Sequence, residues 1–173
     1  GIIKQNGCVL FGGSGESVKE VIKAKASEMN AKFHFADKSG LEILSSDLSG
    51  SLINYGTYKE LRLPLLGLYQ PLNAANVLCA VEILKDQGFK IDENAVREGL
   101  LAARWPARFE IISRDPLVIF DGAHNPEGIE KAVESIKRYF GDEKVAVLTG
   151  VMKDKDYNYI ARKFSEIADR AYT

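Results

Sequence analysis

The feature that most constrains the fold is a strand, a polar turn and a helix in immediate succession. Residues 117–120 are apolar and short enough for one strand, and residues 126–140 carry apolar side chains at helical spacing. Residues 145–148 form a continuous apolar run, which is typical of a strand buried on both faces of a parallel sheet. Strands that alternate with amphipathic helices indicate an α/β fold.

The other segments continue this alternation and divide at a proline. The predicted elements are, in chain order, a short buried strand at 7–11, a helix at 16–30, a strand at 32–36, antiparallel hairpins within 41–63, two amphipathic helices between 65 and 103, strands at 109–113 and 117–120, and helices at 126–140 and 156–171. Trp105-Pro106 interrupts the helical pattern, since the residue before proline resists helical dihedral angles. A domain boundary is therefore predicted there, between residues 1–104 and 105–173. Another strand is expected to start where the chain stops, so the natural protein is expected to continue.

Composition excludes several classes of function. The 23 basic and 24 acidic residues are balanced and form no basic stripe, so nucleic-acid binding is not predicted. No apolar run approaches the roughly 20 residues that a membrane span needs. The two cysteines are far apart, which favours a reducing cytoplasm over a disulfide framework. With only two histidines besides, a structural zinc site is not predicted.

The segment Asp121-Gly122-Ala123-His124-Asn125-Pro126 is the strongest candidate site. It follows a predicted strand, and open α/β sheets bind ligands beyond the carboxyl ends of their strands. Asn125 suits the N-cap of the following helix and Pro126 its first position. The free N–H groups of that helix start suit a phosphate or carboxylate. The alternative is a capped strand-to-helix turn with nothing bound.

Three further segments carry candidate binding residues. Arg108 enters a strand just after the predicted boundary, and its planar fork suits phosphate oxygens. The alternative is a surface arginine paired with Glu110 or another neighbour. The amide of Asn73 could read the edge of an adenine, or the residue could simply cap the next helix. Lys155, in the loop 150–156, could meet an anionic group, whereas Asp154 or Asp156 of that loop could cap a helix.

No phosphate loop is present. Gly12-Gly13-Ser14-Gly15 lacks the lysine that such a loop requires, and no dinucleotide-binding glycine pattern occurs.

Taken in order, these segments resemble the folylpolyglutamate synthase/dihydrofolate synthase family, a branch of the Mur-type ligases. The resemblance covers essentially the whole chain and implies the tail of a central ATPase domain followed by a truncated, Rossmann-like C-terminal domain. The matching segments are Gln70…Asn73-Ala74-Ala75, Trp105-Pro106-Ala107-Arg108-Phe109-Glu110, Asp121-Gly122-Ala123-His124-Asn125-Pro126 and Gly150…Asp154-Lys155-Asp156.

The resemblance implies a ligase that uses ATP and Mg²⁺. ATP phosphorylates a folate or dihydropteroate carboxylate, and the amino group of glutamate attacks the acyl phosphate to give an amide. Asn73 is then expected to contact adenine, and Asp121 the ribose. Arg108 is expected to reach the phosphates and, with His124, to be catalytic. Asn125 and Lys155 are the candidates for holding the acidic substrate, and no metal ligand is assigned.

The sequence departs from the family pattern at two positions. Tyr69 stands where the family often has histidine, and Ala107 stands where the family has glycine, which costs little only if the φ angle of Ala107 is negative. The phosphate loop and the main metal ligands of the family would lie before Gly1, so residues 1–173 alone are expected to be inactive. The full-length protein is expected to be a cytoplasmic monomer that binds small molecules and neither nucleic acid nor membrane.

Three alternatives remain open. One is a Mur-type cell-wall ligase that adds an amino acid to a UDP-sugar peptide. Another is a non-catalytic α/β binding module. The third is a metal hydrolase that uses Asp121 and His124, which would need more ligands than the sequence supplies.

Overall fold

The computed structural model describes residues 1–173, and the predicted α/β class is confirmed. The strands are β1 (Cys8–Phe11), β2 (Lys32–Phe35), β3 (Leu41–Asp47), β4 (Gly50–Tyr55), β5 (Tyr58–Leu63), β6 (Glu110–Arg114), β7 (Leu117–Phe120), β8 (Val145–Leu148) and β9 (Ala168–Tyr172). The helices are α1 (Glu16–Glu28), α2 (Gln70–Asp86), α3 (Glu93–Leu101), α4 (Pro126–Phe140) and α5 (Tyr157–Ser165). No helix combines the length and the apolar character that crossing a membrane requires.

The chain begins with a parallel strand pair. β1 and β2 lie side by side, and α1 connects them, so the carboxyl ends of both strands point the same way. Phe11 is buried at the end of β1, whereas Cys8 is exposed. The prediction of a buried first strand is therefore wrong in part, because the strand has a neighbour on one edge only.

The first hydrophobic core lies between an antiparallel sheet and two helices. Strands β3, β4 and β5 form the sheet, as the predicted hairpins required, and α2 and α3 pack on it. Ile53, Leu61 and Leu78 are fully buried there. Gly50 begins β4 with a φ angle of +123°, and a Cβ atom on it would lie 2.1 Å from the carbonyl oxygen of Leu63.

Helix α2 begins earlier than a cap at Asn73 would allow. Tyr69 is its N-cap residue, Pro71 lies in its first turn, and the N–H of Asn73 donates to the carbonyl of Tyr69 over 3.1 Å. Asn73 is therefore already inside the helix. The alternative that it serves as the N-cap is wrong.

The second core lies between α4, α5 and the β8–β9 pair. Its buried residues are Ile129, Val133, Ile160 and Ile167. β6 and β7 form a separate antiparallel hairpin, so no hydrogen-bonded ladder joins β7 to β8. Leu148 is 83% exposed, and the prediction that residues 145–148 are buried on both faces is wrong.

The last predicted helix is also wrong over its second half. Helix α5 ends at Ser165, and Ala168–Tyr172 is a strand parallel to β8. The backbone groups of β8 need a hydrogen-bonding partner, and these residues supply it. Their apolar spacing fits a helix equally well, which is why the pattern alone misleads.

Polar contacts join the two cores. The N–H of Gly67 donates to the hydroxyl of Tyr139 over 3.1 Å, and the N–H of Leu68 donates to Ser135 Oγ over 3.1 Å. Ser135 is fully buried. These contacts dock the loop before α2 on the side of α4, and so place the start of α2 opposite the turn between β7 and α4.

Candidate functional site

A cleft of about 700 Å³ lies where the two halves of the chain meet. Its walls are the loop after β1, the first turns of α2, the segment around Arg108 and the turn between β7 and α4. The predicted residues Asn73, Arg108, Asp121, His124 and Asn125 all line it.

Asp121 connects three parts of the wall. Its Oδ2 accepts the N–H of Phe109 over 2.7 Å, and its Oδ1 accepts the N–H of Ala123 over 2.7 Å. The hydroxyl of Tyr69 donates to the same Oδ2 over 3.4 Å. Burial first, and then the charge of Asp121, raise the pKa of Tyr69, so its hydroxyl stays protonated as a donor.

The backbone on either side of Arg108 is left-handed. Ala107 has a φ angle of 56° and Phe109 one of 50°. The replacement of glycine by Ala107 was expected to cost little only with a negative φ angle, and the observed angle is positive. A left-handed conformation costs roughly 1–2 kcal/mol for each residue that has a side chain. The N–H of Gly122 donates to the carbonyl of Ala107 over 2.9 Å, and the N–H of Ala107 donates to Glu110 Oε2 over 2.9 Å. Strain that neighbouring contacts maintain is common at functional sites.

These contacts leave Arg108 exposed beside the cleft with no acidic partner. One guanidinium nitrogen donates to the carbonyl of Ala107 over 3.3 Å. The carboxylate of Glu110 accepts a hydrogen bond from the backbone N–H of Ala107 and makes no ion pair with Arg108, so the alternative that these two residues pair is wrong. The guanidinium therefore remains able to bind an anion.

The turn after Asp121 presents a histidine and a helix start. His124 Nδ1 lies 2.9 Å from the carbonyl oxygen of Gly122. A carbonyl can only accept, so Nδ1 carries the proton and Nε2 stays available. Asn125 Oδ1 accepts the N–H of Gly128 over 2.8 Å, which confirms the predicted N-cap of α4.

On the opposite wall, α2 holds Asn73 in a defined orientation. The side-chain nitrogen of Asn73 donates to Gln70 Oε1 over 3.1 Å, and Gln70 is buried. This bond uses one of the two amide hydrogens of Asn73. Its Oδ1 accepts no hydrogen bond within the chain and suits a ligand that offers an N–H group.

Lys155 does not line the cleft. Its ammonium lies 3.0 Å from Asp154 Oδ2, and this contact is the main cause that lowers the pKa of Asp154. His124 lowers the same pKa by a smaller amount, so the loop passes near the turn after Asp121. Asp156 caps α5 by accepting the N–H of Tyr159 over 3.0 Å, as the capping alternative proposed.

Other lining residues went unrecognised in the sequence. Gly12, Gly13 and Ser14 follow β1, Lys38 follows β2, and the Nζ of Lys38 donates to the carbonyl of Gly12. Both segments lie beyond the carboxyl ends of parallel strands, a position that could have marked them as candidates. Asn76 also lines the cleft, one helical turn after Asn73.

The chain's own residues do not form a metal centre. No group of three or more His, Cys, Asp or Glu side chains is close enough together to hold a metal ion. Both oxygens of Asp121 already accept backbone N–H groups. No residue of the chain is therefore assigned as a Mg²⁺ ligand.

Comparison with known proteins gives consistent matches. Residues 107–173 match the family described as Mur ligase, glutamate ligase domain. The chain is 31% identical over 174 residues to the dihydrofolate synthase/folylpolyglutamate synthase of Bacillus subtilis, covering 97% of this chain and 40% of that protein. It is 30% identical over 179 residues to the folylpolyglutamate synthase of Lacticaseibacillus casei, covering 99% of this chain and 41% of that protein.

Solved structures agree with these sequence matches. The crystal structure of a folylpolyglutamate synthase from Thermotoga maritima aligns with a TM-score of 0.81 at 31% identity, over 98% of this chain and 41% of that one. The Mycobacterium tuberculosis folylpolyglutamate synthase, solved as a complex with ADP, aligns with a TM-score of 0.82 at 28% identity, over 95% and 37%. The chain thus spans about two fifths of the length of its relatives.

Proposed function

The chain belongs to the folylpolyglutamate synthase/dihydrofolate synthase family of the Mur ligases, and from this we propose that it is part of an ATP-dependent ligase. This ligase joins glutamate to a folate or dihydropteroate carboxylate. The observation that carries this proposal is the convergence of Asn73, Arg108, Asp121 and His124 on one cleft. These residues come from distant parts of the chain, and their chemistry matches the parts of a nucleotide.

Each group has a complementary partner on ATP. The free Oδ1 of Asn73 accepts from the exocyclic amine of adenine. Oδ1 of Asp121 accepts only the N–H of Ala123 and so retains an acceptor position, which suits a ribose hydroxyl. The guanidinium of Arg108, which has no acidic partner, binds phosphate oxygens as a planar fork.

The turn after Asp121 is assigned to the terminal phosphoryl group of ATP and the substrate carboxylate that receives it. The terminal phosphoryl group of ATP is transferred to a carboxylate oxygen of the pterin substrate, which gives an acyl phosphate and ADP. The glutamate amine then attacks the acyl carbon, the bond from that carbon to the phosphate oxygen breaks, and the amine gives up a proton. Arg108, His124 and Asn125 at the start of α4 line the same cleft. We assign them to the negative charge that develops in these steps, which cationic groups and a helix start stabilise. Mg²⁺ would accompany the phosphates of ATP, with ligands from outside residues 1–173.

We place the domain boundary between residues 1–104 and 105–173. Two separate hydrophobic cores joined by polar contacts support this division. Closure of one part on the other would bring Arg108 to the phosphates and exclude water from the acyl phosphate. Lys155, which lies outside the cleft, would hold the acidic substrate from the adjacent loop. We further propose a cytoplasmic monomer that binds these small molecules and neither nucleic acid nor membrane.

The test is phosphate release by the full-length protein with MgATP and glutamate. The acceptors are dihydropteroate, tetrahydrofolate and a UDP-sugar peptide, and residues 1–173 alone are expected to release no phosphate. We expect release that depends on a pterin acceptor and that falls about 100-fold in Arg108→Ala, the usual loss for a charge-stabilising donor. The matched control is Arg138→Ala, an exposed arginine of α4.

Other outcomes would overturn the proposal. Release with the UDP-sugar peptide only would assign the protein to the cell-wall ligases. Absence of release with every acceptor would instead favour the non-catalytic binding module. Equal loss in the Arg108 and Arg138 variants would remove Arg108 from the site.

A further inference from the structure

One side-chain contact in the cleft wall crosses the proposed domain boundary and ends on the carboxylate assigned to the ribose. The hydroxyl of Tyr69, at the N-cap position of α2, donates to Asp121 Oδ2 over 3.4 Å. The other donors to Asp121 are backbone N–H groups that lie, like Asp121 itself, within residues 105–173. Tyr69 is therefore the residue of 1–104 that links the first part of the chain to this carboxylate.

Packing places the ring of Tyr69 before its hydroxyl makes any contact. Gly67 has a φ angle of +104°, and a Cβ atom on it would lie 2.8 Å from a ring carbon of Tyr69. The N–H of Gly67 donates to the hydroxyl of Tyr139 over 3.1 Å, and its carbonyl accepts the N–H of Gln70 over 3.0 Å. The glycine thus leaves room for the ring in a loop that is itself anchored to α4.

Tyr69 also lies next to the residue assigned to the nucleobase. Asn73 follows it by one helical turn in α2, and the N–H of Asn73 donates to the carbonyl of Tyr69 over 3.1 Å. At its other end, Tyr69 contacts only Oδ2 of Asp121, which leaves Oδ1 with an acceptor position for a ligand. One side chain therefore joins the wall that faces the base to the group that faces the ribose.

We propose that Tyr69 is a positioning residue for the ribose: its hydroxyl fixes Asp121 relative to Asn73, so that both residues meet one nucleotide. This inference rests on the proposed function, which places ATP in the cleft. A distance of 3.4 Å is long for a hydroxyl donor, and contacts of this kind often tighten only when the ligand is bound. We expect the Tyr69 bond to shorten when a nucleotide bridges the two walls.

The test measures how much the ribose hydroxyls contribute to binding. Calorimetric titration of the full-length protein uses ADP, 2′-deoxyADP and 3′-deoxyADP. In the wild type, we expect one deoxynucleotide to bind about 10-fold more weakly than ADP, the loss of one hydrogen bond to a charged group. In Tyr69→Phe, which keeps the ring, ADP should bind about 5-fold more weakly and that deoxynucleotide unchanged, so the penalty should shrink to about twofold.

The matched control is Tyr139→Phe. It removes a hydrogen bond to Gly67 that also joins the two parts of the chain, but Tyr139 makes no hydrogen bond to Asp121. We expect a lower Tm and an unchanged penalty of about 10-fold for the deoxynucleotide. A penalty that shrinks equally in the Tyr69 and Tyr139 variants would show a general docking effect and overturn the proposal.

A double variant shows whether Tyr69 acts through Asp121. In an Asp121→Ala background, Tyr69→Phe should reduce the affinity for ADP by less than twofold, because the group to be positioned is absent. A further 5-fold loss would show that the hydroxyl contacts the nucleotide directly, which would contradict a positioning role. Asp121→Asn, which keeps the size of the side chain, replaces the alanine variant if that variant does not fold.

The outcomes separate this inference from the proposed function. A wild-type penalty that Tyr69→Phe leaves unchanged would overturn this inference alone. Wild-type protein that binds ADP and both deoxynucleotides equally would remove Asp121 from the ribose, and this inference with it, while nucleotide binding would stand. Wild-type protein that binds none of the three would overturn the proposed function as well.

Discussion

Asp121 Oδ2 accepts a hydrogen bond of 2.7 Å from the backbone N–H of Phe109, twelve residues earlier in the chain. Phe109 is buried and left-handed, with a φ angle of 50°, so the bond holds a backbone that its side chain disfavours. The other oxygen of Asp121 holds the turn that carries His124. One carboxylate therefore sets the relative positions of Arg108 and His124.

Substitution of this carboxylate should cost stability as well as function. Asp121→Asn replaces one acceptor oxygen by a donor that faces a backbone N–H, and we expect the free energy of unfolding to fall by about 1–3 kcal/mol. Urea denaturation measures the change, with Asp142→Asn at an exposed position as the control. Equal unfolding free energies for wild type and Asp121→Asn would show that these hydrogen bonds carry no net stability.

The left-handed backbone at Ala107 predicts an opposite effect. Ala107→Gly removes the Cβ atom that disfavours a φ angle of 56°, and we expect a gain of about 0.5–1 kcal/mol after the extra entropy of glycine is subtracted. The same change at Ala102, where φ is −81°, should destabilise the protein instead. Chemical denaturation of both variants gives the signs, and a loss at both positions would contradict strain at Ala107.

Two glycines should respond to alanine in opposite directions. Gly50→Ala should destabilise the first core by more than about 2 kcal/mol, because φ is +123° and the new Cβ would lie 2.1 Å from the carbonyl oxygen of Leu63. Gly99 lies inside α3 with nothing within 4 Å of a new Cβ, so Gly99→Ala should stabilise by about 0.5–1 kcal/mol. Thermal unfolding measures both, and similar Tm values for the two variants would refute the assigned backbone at Gly50.

A charged cluster on α2 should make stability depend on acid pH. Glu82 Oε1 accepts from the hydroxyl of Tyr58 over 2.5 Å and from Lys85 Nζ over 2.9 Å, and these bonds, with Tyr58 first, lower the pKa of Glu82 below its ordinary 4.5. A folded-state pKa below the unfolded value gives stability that is present above about pH 4.5 and is lost as the pH falls through the folded-state pKa.

The contribution should be small, below about 1 kcal/mol, because Glu82 is largely exposed. Tm values measured from pH 7 down to pH 3 should fall less steeply in Glu82→Gln than in the wild type. Glu98→Gln, at an exposed position on α3, is the control. Identical pH profiles for wild type and Glu82→Gln would exclude the cluster as a source of acid sensitivity.

Local signals predicted the fold best where the structure depends on local contacts. Helix α4 has the predicted bounds, because Asn125 and Pro126 form its start and Gly141 follows its end. The helix predicted over residues 156–171 failed in its second half, since β9 forms through pairing with β8, and no window of sequence around β9 contains that partner.

The candidate site shows the same difference between what local sequence motifs predict and what depends on contacts between distant segments. Residues in short ordered motifs, such as Arg108 and Asp121, were identified and lie in one cleft. Asn76 was overlooked because only the fold brings it into the cleft wall beside Gly12, which is far away in sequence. Lys155 was included because its motif matches, although the fold pairs it with Asp154 outside the cleft.

The cleft has one wall on each of two hydrophobic cores, and polar contacts of Tyr69, Ser135 and Tyr139 link the two sides. A molecule bound to both walls would become part of the interface, and its binding free energy would add to the coupling between the cores. Bound nucleotide would therefore raise the cooperativity of unfolding, so that the two hydrophobic cores unfold in a single transition.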